Sequence, residues 1–215
     1  MISVLTPSIR PQFLDITQRC LEEQTFQDFE WLVEVGLRPN GFTLPSDLNR
    51  MLCRAKGDRI IMLQDCIHIL PNALEKIATL PNEFTTFPVG KVMTLGDEPQ
   101  WDWRAHEPWE IQPHQWEADF AMAPTKAFFD IGGYDEEFNK GWSWDNVEVG
   151  WRAAAAGYRF FCDNTVRGIA IDHDALVPNP FRNQRENNDR RAEETRQRAA
   201  HGDYRLGYLT AGGLQ

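Results

Sequence analysis

Three groups of residues have the types and spacing to do chemistry. In Leu63-Gln64-Asp65-Cys66 an aspartate leaves the continuously apolar run Ile60 to Leu63. A carboxylate so placed can hold magnesium or manganese, ions that favour oxygen ligands and keep coordination positions open for phosphate. Its ordinary use would be as a turn former or helix cap. The second group is Gly132-Gly133-Tyr134-Asp135-Glu136 followed by Gly141-Trp142-Ser143-Trp144-Asp145-Asn146-Val147-Glu148. Asp145 and Glu148 stand three apart, so at a helix start they share one face and both gain from the helix dipole. Either could accept the proton of an attacking hydroxyl or orient it, with Trp142 and Trp144 as an apolar floor. The competing reading is acidic capping of a helix whose tryptophans sit in the core. The third group, Ile169-Ala170-Ile171-Asp172-His173-Asp174, runs from a strand into an acidic cluster where His173 could complete a metal site or be an ordinary hydrogen-bonded side chain.

These residues need elements to position them. Ile2 to Thr6 reads as a buried strand, Phe29 to Val35 as a second and Arg59 to Leu63 as a third. Between them, Phe13, Ile16, Cys20 and Leu21, and then Leu48, Met51, Leu52 and Ala55, follow the helical period. Ser46 is expected to cap the second helix and Gly57 to end it. Leu70, Ala73, Leu74 and Ile77 mark another helical stripe, and Gly141 to Gly157 a later helix. Tyr158 to Cys162 and Gly168 to Ile171 supply late strands. Alternating strands and helices predict an α/β fold with a mostly parallel sheet, whose ligand lies outside the carboxyl ends of the strands. Residues following Thr6, Val35 and Leu63 therefore come first for function. Trp101, Trp103, Trp109 and Trp116 fall in a stretch without a period, read as a long loop or lid that either plugs onto the domain or stacks a sugar.

Composition narrows the classes. A chain of 215 residues with 42% hydrophobic content can bury a single-domain core. A formal net charge of -10 removes the general basic surface that tracks nucleic acid, while leaving room for a local diphosphate pocket. No run approaches a membrane span and no basic flank or cleavage site opens the chain, so the expectation is a cytoplasmic protein. Cys20, Cys53, Cys66 and Cys162 lack metal-site spacing and read as reduced, mostly buried thiols. Residues 182–215 form a polar tail, expected to be helical and either solvated or dependent on a partner.

Taken in order, the motifs resemble those of glycosyltransferase family 2. Ile2 to Ser8 is similar to that family's opening strand and proline turn, and Phe29 to Gly36 to its second strand, where Glu34 takes the place of the acidic residue that meets the nucleobase. Asn49, Ala55-Lys56-Gly57-Asp58-Arg59-Ile60 and Leu63-Gln64-Asp65 resemble the approach to the DXD metal motif, and Gly132 to Arg152 the acceptor-side motif. Two departures stand out: Asp65 lacks its second aspartate, and the acidic pair reads Asp145-Asn146. The Asp-Asn-Val-Glu run also resembles the Glu-Asn-x-Glu run of polypeptide N-acetylgalactosaminyltransferases, which leaves the stereochemistry open.

The resemblance implies a GT-A, Rossmann-like domain over residues 1–181, with a nucleotide half in 1–100 and an acceptor half in 120–181. It implies transfer of a sugar from a nucleotide-diphosphate donor, expected to be UDP-linked, to a carbohydrate or other hydroxyl acceptor. Pro7, Ser8, Arg10, Glu34, Asn49, Lys56 and Asp65 would bind the nucleotide sugar, and Asp65 with His173 would hold manganese or magnesium. Asp145 would be the base or orienting carboxylate, with Glu148 second, and Trp142 and Trp144 would meet the acceptor. The rival is a degenerate GT-A fold that binds a sugar or protein without turnover. A sugar nucleotidyltransferase would want a glycine-rich loop after the first strand, and Thr6 to Pro11 contains no glycine.

Overall fold

The computed structural model describes residues 1–36, 43–94, 96–106, 109–141, 143–171, 185–210 and 213–214. Its first half runs β1 (Ile2–Ser8), α1 (Leu14–Glu22), β2 (Phe29–Val35), α2 (Leu44–Arg54), β3 (Arg59–Leu63), β4 (Ile67–Ile69), α3 (Ala73–Thr79), β5 (Phe84–Thr86), β6 (Val89–Val92) and β7 (Gln100–Trp101). The second half adds β8 (Phe120–Pro124), α4 (Thr125–Ile131), α5 (Asp145–Ala155), β9 (Phe160–Cys162), β10 (Gly168–Ile171) and α6 (Glu186–Ala200).

The main sheet has the order β2-β1-β3-β8-β5-β9. β1 lies parallel to β2 and β3, and β5 parallel to β9, while β8 runs antiparallel to both β3 and β5. A second sheet, β4-β10-β6-β7, packs beside it. Alternation along the strands explains why their sequences read as unbroken apolar runs. Leu5, Ile60, Met62, Ala121 and Ala123 face α2, α4 and α5 on one side of the main sheet. Val4, Ile61, Leu63, Phe120 and Met122 face α1, α3 and the second sheet on the other.

Three local expectations are corrected. α2 starts at Leu44 with Thr43 as its N-cap residue, and the Ser46 hydroxyl lies inside the first turn, donating to the Thr43 carbonyl at 3.0 Å. Gly57 does not end α2, because Ala55 has already turned to extended backbone. Gly57 is required by close approach: a Cβ there would stand 2.6 Å from the Ser3 backbone nitrogen. Leu70 precedes α3 and is exposed, so it is no member of that helix's buried stripe.

The tail folds back on the body. α6 lies along α5 with Asn188, Ala192, Thr195 and Ala199 buried, a stripe of small and polar residues at helical spacing. Beyond it, Leu206 and Leu209 donate their amides to the carbonyls of Ile131 and Gly132. Gly132 closes α4 in the left-handed region at φ 78°, and a Cβ there would meet the Leu206 carbonyl oxygen at 1.8 Å. No helix among the described residues is long and apolar enough to cross a membrane.

Candidate active site

The carboxyl ends of parallel β1 and β3 open onto a cavity of about 390 Å³. Gln64, Cys66 and Asp119 line its floor, Lys91 and Ile171 the side toward the second sheet, and Trp144, Asp145 and Asn146 the side made by the start of α5.

At the carboxyl ends of β1 and β3, the Ser8 hydroxyl accepts from the Arg10 amide at 3.0 Å and donates to Asp65 Oδ2 at 2.6 Å. Arg10 Nη2 stands 4.0 Å from Asp65 Oδ1, and Arg10 itself lines the cavity. Pro7 pairs in register with Glu34 across β1 and β2. Glu34 is engaged by Arg54 at 2.8 Å and Arg50 at 3.6 Å. Burial, reinforced by Asp65, pushes the Cys66 thiol up to about 12, so the residue after Asp65 is neutral and adds no second anion.

Of the residues expected to bind the nucleotide sugar, Arg10 lines the cavity and Pro7, Ser8, Glu34 and Asp65 do not, while Asn49 and Lys56 are committed elsewhere. The amide of Lys56 donates to Glu30 Oε1 at 2.6 Å beside the first residues of β1 and β3, the opposite edge of the sheet from Asp65. The length of β3 therefore separates Lys56 from Asp65, since a strand advances about 3.3 Å per residue. Asn49 is buried and fully used as a staple: its Nδ2 donates to the Tyr134 carbonyl at 3.0 Å and Glu136 at 2.9 Å, and its Oδ1 accepts the Tyr134 amide at 2.8 Å. It ties α2 to the glycine-rich turn.

At the start of α5 the two carboxylates divide. Asp145 is 8% exposed and lines the cavity, and its Oδ2 has no hydrogen-bond partner among the described residues. Desolvation pushes its pKa up to about 7; its own backbone amide works against this, and the nearby charges of Glu148 and Glu117 add to it. Glu148 is fully buried and faces away from the cavity. It receives Arg152 through Nε at 2.5 Å and Nη2 at 2.6 Å, and accepts the Asp135 amide at 3.3 Å. Arg152 also donates to the carbonyls of Ile131 and Gly133 at 2.8 Å. The pair locks α5 to the glycine-rich turn.

Trp144 sits at the cavity edge with its indole stacked on Trp151 at 6.1 Å and its Nε1 donating to Asp189 of α6 at 2.5 Å. Trp142 and His173 lie outside the described residues. None of the four tryptophans between positions 101 and 116 lines the cavity. Trp116 is wholly buried in the core, Trp101 stacks under Arg167 at 4.9 Å, and Trp109 is exposed near Phe161.

Sequence reasoning missed Lys91, Glu117 and Asp119 as lining residues. β8 runs antiparallel to β3, so the residues entering β8 meet those leaving β3, and Gln64 donates its amide to the Asp119 carbonyl at 3.0 Å. The acidic pair just before the apolar run Phe120 to Ala123 would have been a signal, given the strand direction. Arg104 anchors Asp119 through bonds of 2.5 and 2.7 Å. Burial opposes the Arg104 charge, but Asp119 and Asp102 outweigh it and hold its pKa above the ordinary value.

No protein-family model matches the chain, and no curated protein sequence does. Solved structures do. The crystal structure of Staphylococcus aureus TarS 1-349 in complex with UDP superposes with a TM-score of 0.61 at 13% identity, covering 79% of this chain and 60% of that one. TarS 1-349 in complex with UDP-GlcNAc gives 0.62 at 15% identity, covering 79% of this chain and 58% of that one. The chain thus spans about three-fifths of these structures. The likeness is one of fold, and the fold is GT-A: a mostly parallel α/β sheet flanked by helices.

Proposed function

We propose that the chain is a glycosyltransferase that moves a sugar from a UDP-linked donor to an acceptor hydroxyl, with Asp145 taking or orienting the hydroxyl proton. One observation carries the reading: a buried carboxylate, with an oxygen that has no hydrogen-bond partner among the described residues, lines the same cavity as Arg10, whose guanidinium stands 4.0 Å from Asp65. The likeness to a fold solved with UDP and UDP-GlcNAc supports the donor class.

In the reaction the acceptor oxygen bonds to the anomeric carbon, its proton passes to Asp145, and the bond from that carbon to the diphosphate oxygen breaks with its electron pair. A base whose pKa lies near neutrality suits this step. Arg10 and Lys91 stabilise the negative charge gathering on the diphosphate, the largest contribution in such transfers. Glu148, held by Arg152 and absent from the cavity lining, does not meet the hydroxyl. Trp144 offers the acceptor an apolar edge.

Manganese or magnesium belongs to the proposal. Among the described residues no group of three His, Cys, Asp or Glu side chains could hold a metal. Asp65 supplies one hard oxygen donor, which fits an ion that takes its other ligands from the donor's phosphates and water. When bound, the ion neutralises part of the diphosphate charge.

The second reading, a GT-A binding module without turnover, draws on Asn146 at the second position of the acidic pair and on Cys66 after Asp65. Calorimetric titration with UDP and UDP-GlcNAc tests the proposed site: both should bind the parent, and Arg10→Ala should weaken both about tenfold or more. Absence of UDP binding to the parent would remove the donor assignment.

A further inference from the structure

Asp145 reaches the cavity from a backbone turn that is intrinsically unfavourable. Ser143 and Trp144, neither of them glycine, both lie in the left-handed region, at φ 81° and φ 76°. A Cβ makes that region costly, and two such residues in succession hold only where the surroundings enforce them. Trp144 is also the N-cap residue of α5, and its side chain makes no capping hydrogen bond. Within α5 the Glu148 amide donates to the Trp144 carbonyl at 2.9 Å and Trp151 stacks on its indole, contacts made at Trp144 and not at Ser143.

The enforcement comes from α6. Asn188 is buried, and its Nδ2 donates to the Ser143 carbonyl at 2.8 Å and the Phe138 carbonyl at 3.3 Å. One residue on, Asp189 receives the Trp144 indole at 2.5 Å. Three residues beyond Asn188, Arg191 donates to Asp135 at 2.6 Å, and Asn187 reaches the Glu137 carbonyl at 3.3 Å. One helical turn of the tail thus grips both flanks of the segment that ends at Asp145. A tail wanted only for solubility would need none of these bonds.

We propose that Asn188 is a positioning residue for Asp145: its side-chain amide clamps the left-handed Ser143–Trp144 turn and so sets where the carboxylate stands in the cavity. The consequence for turnover rests on the glycosyltransferase reading; the clamp itself does not. Residues that act on a reacting group through the backbone should lower the rate of the chemical step and leave donor binding alone.

The test uses the full chain, with Asn188→Ala, the double variant Asn188→Ala/Ser143→Gly, and two readouts. Glycine adopts the left-handed region without penalty, so it should restore the turn that the lost amide no longer holds. Amide hydrogen exchange at Ser143 to Val147 is expected to rise about tenfold or more in Asn188→Ala and to return toward the parent in the double variant. Transfer should follow, kcat falling about tenfold or more with the donor KM within twofold, and glycine should recover most of it. Unchanged exchange across Ser143 to Val147, or a loss that glycine does not relieve, overturns the proposal. Should Asn188→Ala fail to fold, Asp189→Ala removes the indole bond alone and must raise exchange at Trp144 and Asp145. If the parent shows no transfer, the functional reading fails while the exchange result still decides the clamp.

Discussion

The Ser8 hydroxyl donates to Asp65 Oδ2 at 2.6 Å, joining the carboxyl ends of adjacent parallel strands β1 and β3. This bond fixes one oxygen of Asp65 and leaves Oδ1 near Arg10. The carboxylate and the guanidinium therefore share one place, where a diphosphate and its counter-ion would also meet.

UDP is accordingly expected to raise the melting temperature, and to raise it further with manganese or magnesium, because a ligand bound only by the native state stabilises it by mass action. Asp65→Ala should abolish the metal-dependent increment and leave the metal-free one, which rests on Arg10 and Lys91. A metal-dependent increment surviving in Asp65→Ala would move the ion elsewhere.

Asp145 ties stability to pH. Its folded pKa of about 7 stands above the ordinary 3.8. Between those values the native state holds a proton that the unfolded chain has lost, so stability falls as pH rises and the loss is complete above the folded pKa. Asp145→Asn, which cannot ionise, should match the parent near pH 4 and become increasingly more stable up to about pH 7, by a few kcal/mol on the scale of ~1.4 per pKa unit. Chemical denaturation of both proteins across that range checks the trend; a difference that does not vary with pH would mean that Asp145 is not the buried, raised group described here.

Glu148→Gln should act on the fold. It leaves the fully buried Arg152 without its bidentate anion, and breaking such a pair costs on the order of 3 kcal/mol. Urea denaturation should show that loss, and under the proposed function the folded protein should keep most of its turnover. A stable variant with lost turnover would return Glu148 to the chemistry.

Much of this arrangement was legible in the sequence, for reasons that also explain what was not. Ile2 to Thr6, Phe29 to Val35 and Arg59 to Leu63 read as strands because both faces of the sheet are covered, and the strand-end rule then put Ser8, Arg10 and Asp65 on one edge. Lys56 was misleading because its segment runs continuously into Asp65, yet the whole of β3 lies between them. Lys91 and Asp119 were hidden because one lies on a second sheet and the other enters an antiparallel strand, neither of which periodicity reveals. The buried face of α6 is written in Asn188, Ala192, Thr195 and Ala199, residues that a hydropathy pattern does not register. Glu148 shared a helix face with Asp145 by spacing, but Arg152 one turn further on drew it into the interior.

The proposed role of Asp145 in handling the acceptor proton is tested by the rate of UDP release from UDP-GlcNAc with acceptor, parent against Asp145→Asn. The substitution keeps the shape of the side chain and removes its capacity to take a proton. Turnover should fall about a hundredfold or more, the range typical of general-base removal, while UDP binds with unchanged affinity. Transfer at the parental rate by Asp145→Asn would contradict the account.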